Sequence, residues 1–384
     1  MSATQFALSD EQHALREMVR RLAEDRIAPH ADEVDQEPRF PQEVRDALTD
    51  AGLMGLHIPD EYGGAGGDAI DFAILIEEVA RVCASSSLIP GVQKLGTVPL
   101  LLGANEEQKK QWLPPLASGE EMVSYCLSEP GAGSDAAGMK TTAERVADGW
   151  RLNGTKFWIT NAGESAAYVV YAKTDPDAGP RGISCFYVRS DDPGFSLGKK
   201  EDKLGIRGSP TRAVNLDDCV IPEDRLVGEE GRGFSIALGA LDQTRLTIGA
   251  QAVGIAQGAI DHGIRYVKER EQFGKPIGAF QAIQFMIADM AMQTEAARNL
   301  VYLAAAMADR QDPALTVFSA YAKCFASDTA MKVTIDGVQL LGGYGYVKEY
   351  PMERFMRDAK ITQIYEGTNQ IQRVVIARQL LGKL

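Results

Sequence analysis

Four segments carry side chains whose types and spacing exceed what folding alone requires. YCLSEPGAGSDAAG (125–138) sets the Ser128 and Ser134 hydroxyls beside Gly131 and Gly133, whose missing side chains leave backbone N–H groups uncovered. That combination suits an acceptor-rich planar ring or a phosphate, although a glycine-rich loop is often only a turn. Ser134 has a Gly-x-Ser-like context, but no histidine is placed to serve a hydrolase elbow. FWIT (157–160) puts an aromatic ahead of the Thr160 hydroxyl, and Trp158 taken alone is expected in the core. KEREQFGKPIGAFQAIQ (268–284) closes one long helical pattern and opens another, and its charges read equally as a solvated helix end. The stretch 336–373 holds Glu366 between a Tyr and a Gly, outside any regular helical stripe. In isolation such a glutamate carries no signal.

Other chemistries are poorly supported. Five cysteines (83, 126, 185, 219 and 324) are scattered without a CxxC pair and read as buried thiols of a reducing compartment. The four histidines (13, 30, 57 and 262) form no metal-ligand spacing. No Gly-Lys pair is followed by the Ser or Thr of a phosphate-binding P-loop. With 40 basic against 53 acidic residues the net charge is −13, which disfavours nucleic-acid binding. No apolar run approaches the roughly 20 residues of a membrane span. The start MSATQFALSDEQ lacks secretion and transit signals, and the terminal GKL is not a peroxisomal address, so a cytoplasmic location is expected. An enzyme of this composition needs a carboxylate base or a bound cofactor.

The elements that must position these segments fall into three regions. Residues 1–122 read as helical. Ser9 with Gln12 forms a possible capping box ahead of the Leu15, Met18, Val19, Leu22 stripe, and a helix fits 41–51. After the DEYGGAGGD loop come helices over Ile70–Val82 and from Asn105 to a stop at Pro114-Pro115. Between 123 and 230 the period becomes two, with turns at Asp148-Gly149 and Asn153-Gly154, giving a β-sandwich or barrel. From 231 to 384, helices over 234–269, 280–308, 313–341 and 367–381 form a four-helix bundle with small residues in its seams. Met286, Met290 and Met292 read as core filler.

Together the segments resemble the acyl-CoA dehydrogenase family of flavoproteins over essentially the whole chain. CLSEPGAGSDAAG, FWIT, EDKLGIRGSPT, LDQTR, REQFGKPI, QLLGGYGY and IYEGTNQIQR occur in that order. The resemblance implies an α+β fold: an N-terminal helical domain, a middle β-domain and a C-terminal four-helix bundle. It implies FAD-dependent oxidation of a saturated acyl-CoA to the trans-2-enoyl thioester. Glu366 would remove the α-proton, flavin N5 would accept the β-hydride, and Gly367 would give the thioester room. Some relatives carry the base just before the arginine of LD-x-x-R, but Thr244 stands there and cannot serve.

By the same matching, Tyr125, Leu127, Ser128, Gly133 and Ser134 look like flavin or thioester contacts, and Trp158, Ile159 and Thr160 resemble the segment against the isoalloxazine ring. Asp242 and Arg245 resemble residues that hold the CoA portion, a plain helix-surface ion pair being the other reading. Arg270, Phe273, Gln281, Gln339, Leu340, Gly342 and Gly343 look like FAD contacts made across a subunit interface, with Thr368 and Gln370 completing the cofactor site. The resemblance further implies a homotetramer that passes electrons to electron-transfer flavoprotein. An acyl-CoA oxidase or a flavin monooxygenase of the same fold, using O2, is the alternative. Glutaryl-CoA-type relatives carry a pocket arginine in the region matching 83–93, and CASSSLIPGVQ has none. A neutral straight-chain short or medium acyl-CoA is therefore expected, with dicarboxylic thioesters poor because a buried terminal carboxylate would lack a partner.

Overall fold

A computed structural model describes residues 7–382; the chain-end readings that rest on residues 1–6, 383 and 384 lie outside it. The N-terminal region holds α1 (Asp10–Leu22), α2 (Ala31–Gln36), α3 (Gln42–Asp50), α4 (Ala69–Val82), α5 (Ala84–Gly103) and α6 (Glu106–Ala117). The capping boxes at Ser9–Gln12 and Asn105–Gln108 are both formed, satisfying orphan N–H groups at the starts of α1 and α6. α6 runs through Pro114 and Pro115 instead of stopping there. α5 has no counterpart in the sequence reading: Pro90 and Pro99 interrupt its pattern, yet nearly every residue from Ala84 to Leu100 is buried. Tertiary packing outweighs the local penalty of about 3 kcal/mol that a helix-interior proline carries.

The middle region contains β1 (Val123–Cys126), β2 (Thr142–Val146), β3 (Gly149–Thr160), β4 (Ala167–Lys173), β5 (Ile183–Arg189), β6 (Phe195–Lys200), β7 (Thr211–Ile221) and β8 (Leu226–Val227). They form one sheet in the order β6-β7-β3-β2-β4-β5-β8, with β1 parallel to β4 off this path. Alternation along β4 and β5 sorts their side chains into two cores. Tyr168, Val170, Phe186 and Val188 pack with Trp150 and Val214 inside the sheet's curl. Val169, Tyr171, Cys185 and Tyr187 face Leu100, Trp112 and Leu113 of the N-terminal helices.

The last region contains α7 (Gly233–Glu269), a two-strand ribbon of β9 (Glu271–Gln272) and β10 (Lys275–Pro276), α8 (Gln281–Asp309), α9 (Leu315–Leu341), α10 (Met352–Thr362) and α11 (Asn369–Leu381). α10 is an addition to the four expected helices. One core runs through α1, α4, α5, α7, α8 and α9, joining the N- and C-terminal helical regions. The small seam residues allow this: a Cβ at Gly254 would lie 2.3 Å from the Glu77 carbonyl oxygen, and one at Gly258 2.2 Å from that of Arg81. Of the three methionines, Met290 is buried and Met286 partly so, but Met292 is exposed. Methionine composition did not distinguish a core position from a surface one. All five cysteines are free and buried. Among the described residues there is no metal-ligating cluster and no helix long and apolar enough to cross a membrane.

Candidate active site

Glu366 occupies the turn between α10 and α11, with its backbone at φ 50° and that of Gly367 at φ 89°. A non-glycine residue in this left-handed region carries strain of about 1–3 kcal/mol and persists only where neighbours over-determine it. Here they do. Lys323 of α9, fully buried, donates to the Gly367 carbonyl (2.8 Å) and to Asn369 Oδ1 (2.9 Å). Gln372 Nε2 donates to the carbonyls of Glu366 (3.3 Å) and Gly367 (3.0 Å). A Cβ on residue 367 would come 2.6 Å from that same Nε2, so φ favours glycine here and any side chain would also push Gln372 off its hydrogen bonds. On the other side the Tyr365 hydroxyl donates to Gln251 Oε1 of α7.

The carboxylate is aimed at α7, where the Thr244 hydroxyl donates to Glu366 Oε2 at 2.8 Å. Thr244, which cannot itself serve as a base, instead orients the Glu366 carboxylate. Glu366 is half-buried, yet protein atoms crowd its carboxyl, and desolvation is the leading influence on it. The acid is raised to about 7, against the opposing pull of the Thr244 hydrogen bond and of Arg245, Lys323 and Lys94. A carboxylate with this affinity can take a proton near neutral pH. The backbone N–H groups of Glu366 and Gly367 make no hydrogen bond among the described residues, leaving two donors at the same turn.

Around this turn the other sequence candidates divide. Arg245 is 6% exposed and paired with Asp242, which also accepts from Thr316 Oγ1 at 2.9 Å. This is a largely buried arrangement, not the helix-surface ion pair of the alternative reading. Tyr125 lies near enough for Glu366 and Arg245 to act on its phenol, which burial pushes far above its ordinary range. Its hydroxyl donates to the Ala237 carbonyl at 3.4 Å. Thr368 caps α11, its hydroxyl accepting from Ile371 N at 3.3 Å, and Gln370 is exposed beside it.

The glycine-rich loop rises from the end of β1. Leu127 is buried, Ser128 half-buried, and Gly131, Gly133 and Ser134 are exposed. The N–H groups of Gly131, Gly133 and Ser134 make no hydrogen bond among the described residues, as uncovered donors should. Trp158 departs from the core expectation. It is 58% exposed at φ 62°, where the β3–β7 register shifts between Lys156 and Ile159. A bulge re-aims one side chain, and this one turns Trp158 outward while Ile159 stays buried and Thr160 half-buried.

The sequence reading missed what holds the loop in place. Glu129 accepts from Lys140 N (2.6 Å), Thr141 N (3.0 Å), Thr141 Oγ1 (2.5 Å) and Lys156 Nζ (2.8 Å). Burial opposes its ionised form, but the Lys156 charge and these hydrogen bonds hold the carboxyl below the usual range. Lys156 also donates to the Leu127 carbonyl (3.3 Å), and Phe157 N donates to that of Ser128 (2.9 Å). The loop and the Trp158 bulge are thereby tied together by hydrogen bonds. A Glu and a Lys inside two β-rich motifs were the available signal.

A second group gathers elsewhere. Arg270, Gln339, Leu340, Gly342 and Gly343 line a cleft of about 850 Å³ with Tyr266, Tyr344 and Tyr350. Arg270 forms no ion pair among the described residues; its guanidinium lies 5.2 Å from the Tyr344 ring centroid. Phe273, at φ 54°, is 92% exposed beyond this cleft. Gln281, exposed at the start of α8, is not part of the lining, so the expected set is only partly united within one chain. The helical rise from Thr244 to Glu269 along α7 is about 37 Å, so cleft and Glu366 stand far apart.

The family models described as the N-terminal, middle and C-terminal domains of acyl-CoA dehydrogenase match residues 9–120, 124–219 and 231–381. The chain is 61% identical over 376 residues to "Probable acyl-CoA dehydrogenase fadE25" of Mycobacterium leprae, covering 98% of this chain and 97% of that one. Butyryl-CoA dehydrogenase of Megasphaera elsdenii superposes with a TM-score of 0.96 at 42% identity, covering 98% of this chain and all of that one. A chain described under the electron transferring flavoprotein of Acidaminococcus fermentans superposes with a TM-score of 0.97 at 44% identity, covering 99% and 100%.

Proposed function

The chain belongs to the acyl-CoA dehydrogenase family, FAD-dependent oxidoreductases acting on the CH–CH bond of acyl-CoA, and on that premise we propose that it converts a saturated acyl-CoA to the trans-2-enoyl thioester with Glu366 as the base. The observation that carries the reading is the Glu366 carboxyl, held on a strained turn by Lys323, Gln372 and Thr244 and raised to about 7 by burial. Glu366 takes the α-proton of the bound thioester. The Glu366 N–H polarises the thioester carbonyl while negative charge develops on its oxygen. Arg245, oriented by Asp242, offers its charge to the CoA portion. Gly367 keeps the approach to the turn clear.

The residues present suit FAD. Ser128, Ser134 and the uncovered N–H groups of Gly131 and Gly133 would hold its ring system, with outward Trp158, Ile159 and Thr160 against one face and Thr368 and Gln370 beside it. Bound FAD supplies the two-electron acceptor for the β-hydrogen, which no protein side chain can replace. The Arg270 cleft, with its Gly342–Gly343 backbone, suits the phosphate-bearing part of a dinucleotide. Its distance from Glu366 along α7 means that one cofactor touched by both requires two copies of the chain, in line with a homotetramer. The acceptor after FAD is an electron-transfer flavoprotein, a reading supported by the Acidaminococcus likeness. The five buried free thiols suit a cytoplasmic setting.

Glu366→Gln tests the base. It is expected to retain FAD and bind thioester while turnover falls by about 10²–10⁴-fold. Near wild-type turnover would overturn the assignment.

A further inference from the structure

Lys94 is a buried cation without a counter-ion. It lies on α5, is 7% exposed, and makes no hydrogen bond or ion pair through its ammonium among the described residues. Its ammonium lies over the ring of Phe72, 4.2 Å from Nζ to centroid. An isolated ammonium taken from water is costly unless it is paired, and an unsatisfied buried group calls for an explanation.

Its place on α5 supplies one. Ser87, Gly91 and Lys94 share one helical stripe. Ser87 Oγ accepts from Gln251 Nε2 of α7 at 2.9 Å. A Cβ on Gly91 would lie 3.5 Å from Thr247 Cγ2. Rising residue numbers on α5 thus meet falling numbers on α7, and the next step brings Lys94 to the level of Thr244, the residue that holds Glu366. Charge effects agree: Glu366 acts on Lys94 and Lys94 on Glu366. Between the stripes the Thr247 hydroxyl is buried and has no partner. Glycine at 91 lets α5 and α7 approach without a side chain between them, and Lys94 and Thr247 bring two unpaired donors to this wall.

The surrounding charges leave Lys94 available. Asp309 and Asp68 act on it without forming an ion pair, Asp309 instead accepting from Ala69 N at 2.8 Å. His57, whose ring meets Phe72 edge-on at 5.2 Å, is kept neutral by burial and by the Lys94 charge. Burial lowers Lys94 to about 8, which leaves it mostly protonated at neutral pH. The window 83–93 is indeed free of charge, but the residue immediately after it is not.

We infer that the acyl chamber selects a thioester whose chain ends in a carboxylate, with Lys94 as its counter-ion and the Thr247 hydroxyl as a second donor. The inference rests on the acyl-CoA reading above for its chamber, and it reverses the expectation of a neutral chain. Glutaryl-CoA against pentanoyl-CoA, and adipyl-CoA against hexanoyl-CoA, provide length-matched pairs that differ in that terminal group. Wild-type holoenzyme is expected to show the higher kcat/KM for the carboxylated member of at least one pair. Lys94→Met is expected to lower that ratio by about thirtyfold or more, the effect of removing one partner of a buried charge pair, and Lys94→Arg to restore part of it. A wild-type ratio below one in both pairs overturns the inference, as does a higher ratio that Lys94→Met leaves unchanged. If Lys94→Met fails to fold, the wild-type ratios decide. Calorimetric Kd values for the same thioesters carry the same criterion without turnover, so failure of the dehydrogenation reading would be seen separately.

Discussion

The turn at Glu366 and the cleft at Arg270 belong to one helical region yet are finished to different degrees. At the turn, the backbone carbonyls of Glu366 and Gly367 are held by Lys323 and Gln372, and one carboxylate oxygen by Thr244. At the cleft, the Arg270 guanidinium makes no ion pair among the described residues and lies over the Tyr344 ring, a Cβ on Gly342 or Gly343 would meet nothing within 4 Å, and Phe273 stands in solvent. The contrast teaches where each site is completed. One chain fixes the Glu366 carboxylate by itself, because the groups that hold it and its turn come from α7, α9 and α11 of that same chain. The cleft has no comparable set of contacts among the described residues, as the proposed cofactor site shared between copies requires.

The strongest blow to this contrast would come from Gly367→Ala. The new Cβ would collide with Gln372 Nε2, which cannot retreat without breaking two hydrogen bonds, and alanine is strained at φ 89°. Displacement of the Glu366 carboxylate by about 1 Å is expected to lower kcat by roughly 10²-fold. An unchanged kcat would mean that the turn is less determined than its hydrogen bonds imply. Arg270→Ala addresses the open cleft. It should weaken FAD retention on gel filtration and lower Tm in a way that excess FAD partly reverses, since saturation at about 100 Kd contributes roughly 2.7 kcal/mol. Full FAD occupancy with an unchanged melting curve would separate Arg270 from the cofactor.

The smallest expected change sharpens the first region. The proposed base, Glu366, must be ionised to act, so kcat/KM should rise with pH through about 7. The Thr244 hydroxyl stabilises the ionised form, and removing it raises the pKa. Thr244→Val should therefore move the acidic limb of the profile upward by about one pH unit, the scale of a hydrogen bond to a charged group. A limb that stays in place or moves down would show that Thr244 does not tune the base.

Much of the architecture was legible because its signals are local. Ser9 and Asn105 start helices through caps that involve residues three positions on. Period-two runs form strands, and the long apolar stripes after Gly233 form α7, α8 and α9. Glu366 was found through its motif rather than its chemistry, since Tyr-Glu-Gly says nothing about burial. The α5 helix was lost because proline and glycine are weighed locally, while its stability comes from burial against α4 and α7. Trp158 taken alone points to the core, and only its motif points to a cofactor contact, since a register shift between two strands is invisible from either one alone.

The sequence by itself determined the order of the three regions, the caps, and the glycine that Glu366 requires after it, because each depends on residues a few positions apart. Only the tertiary structure decided which charges lose their water. Glu129 and Lys156 are 27 residues apart and become a buried pair. Thr244 and Glu366 are separated by 122 and become a hydroxyl donor and the carboxylate that accepts from it. Lys94, an ordinary lysine in the sequence, is buried opposite them. Burial arises from packing between distant segments, and desolvation, more than residue type, raises a carboxylate's proton affinity or leaves an ammonium without a partner.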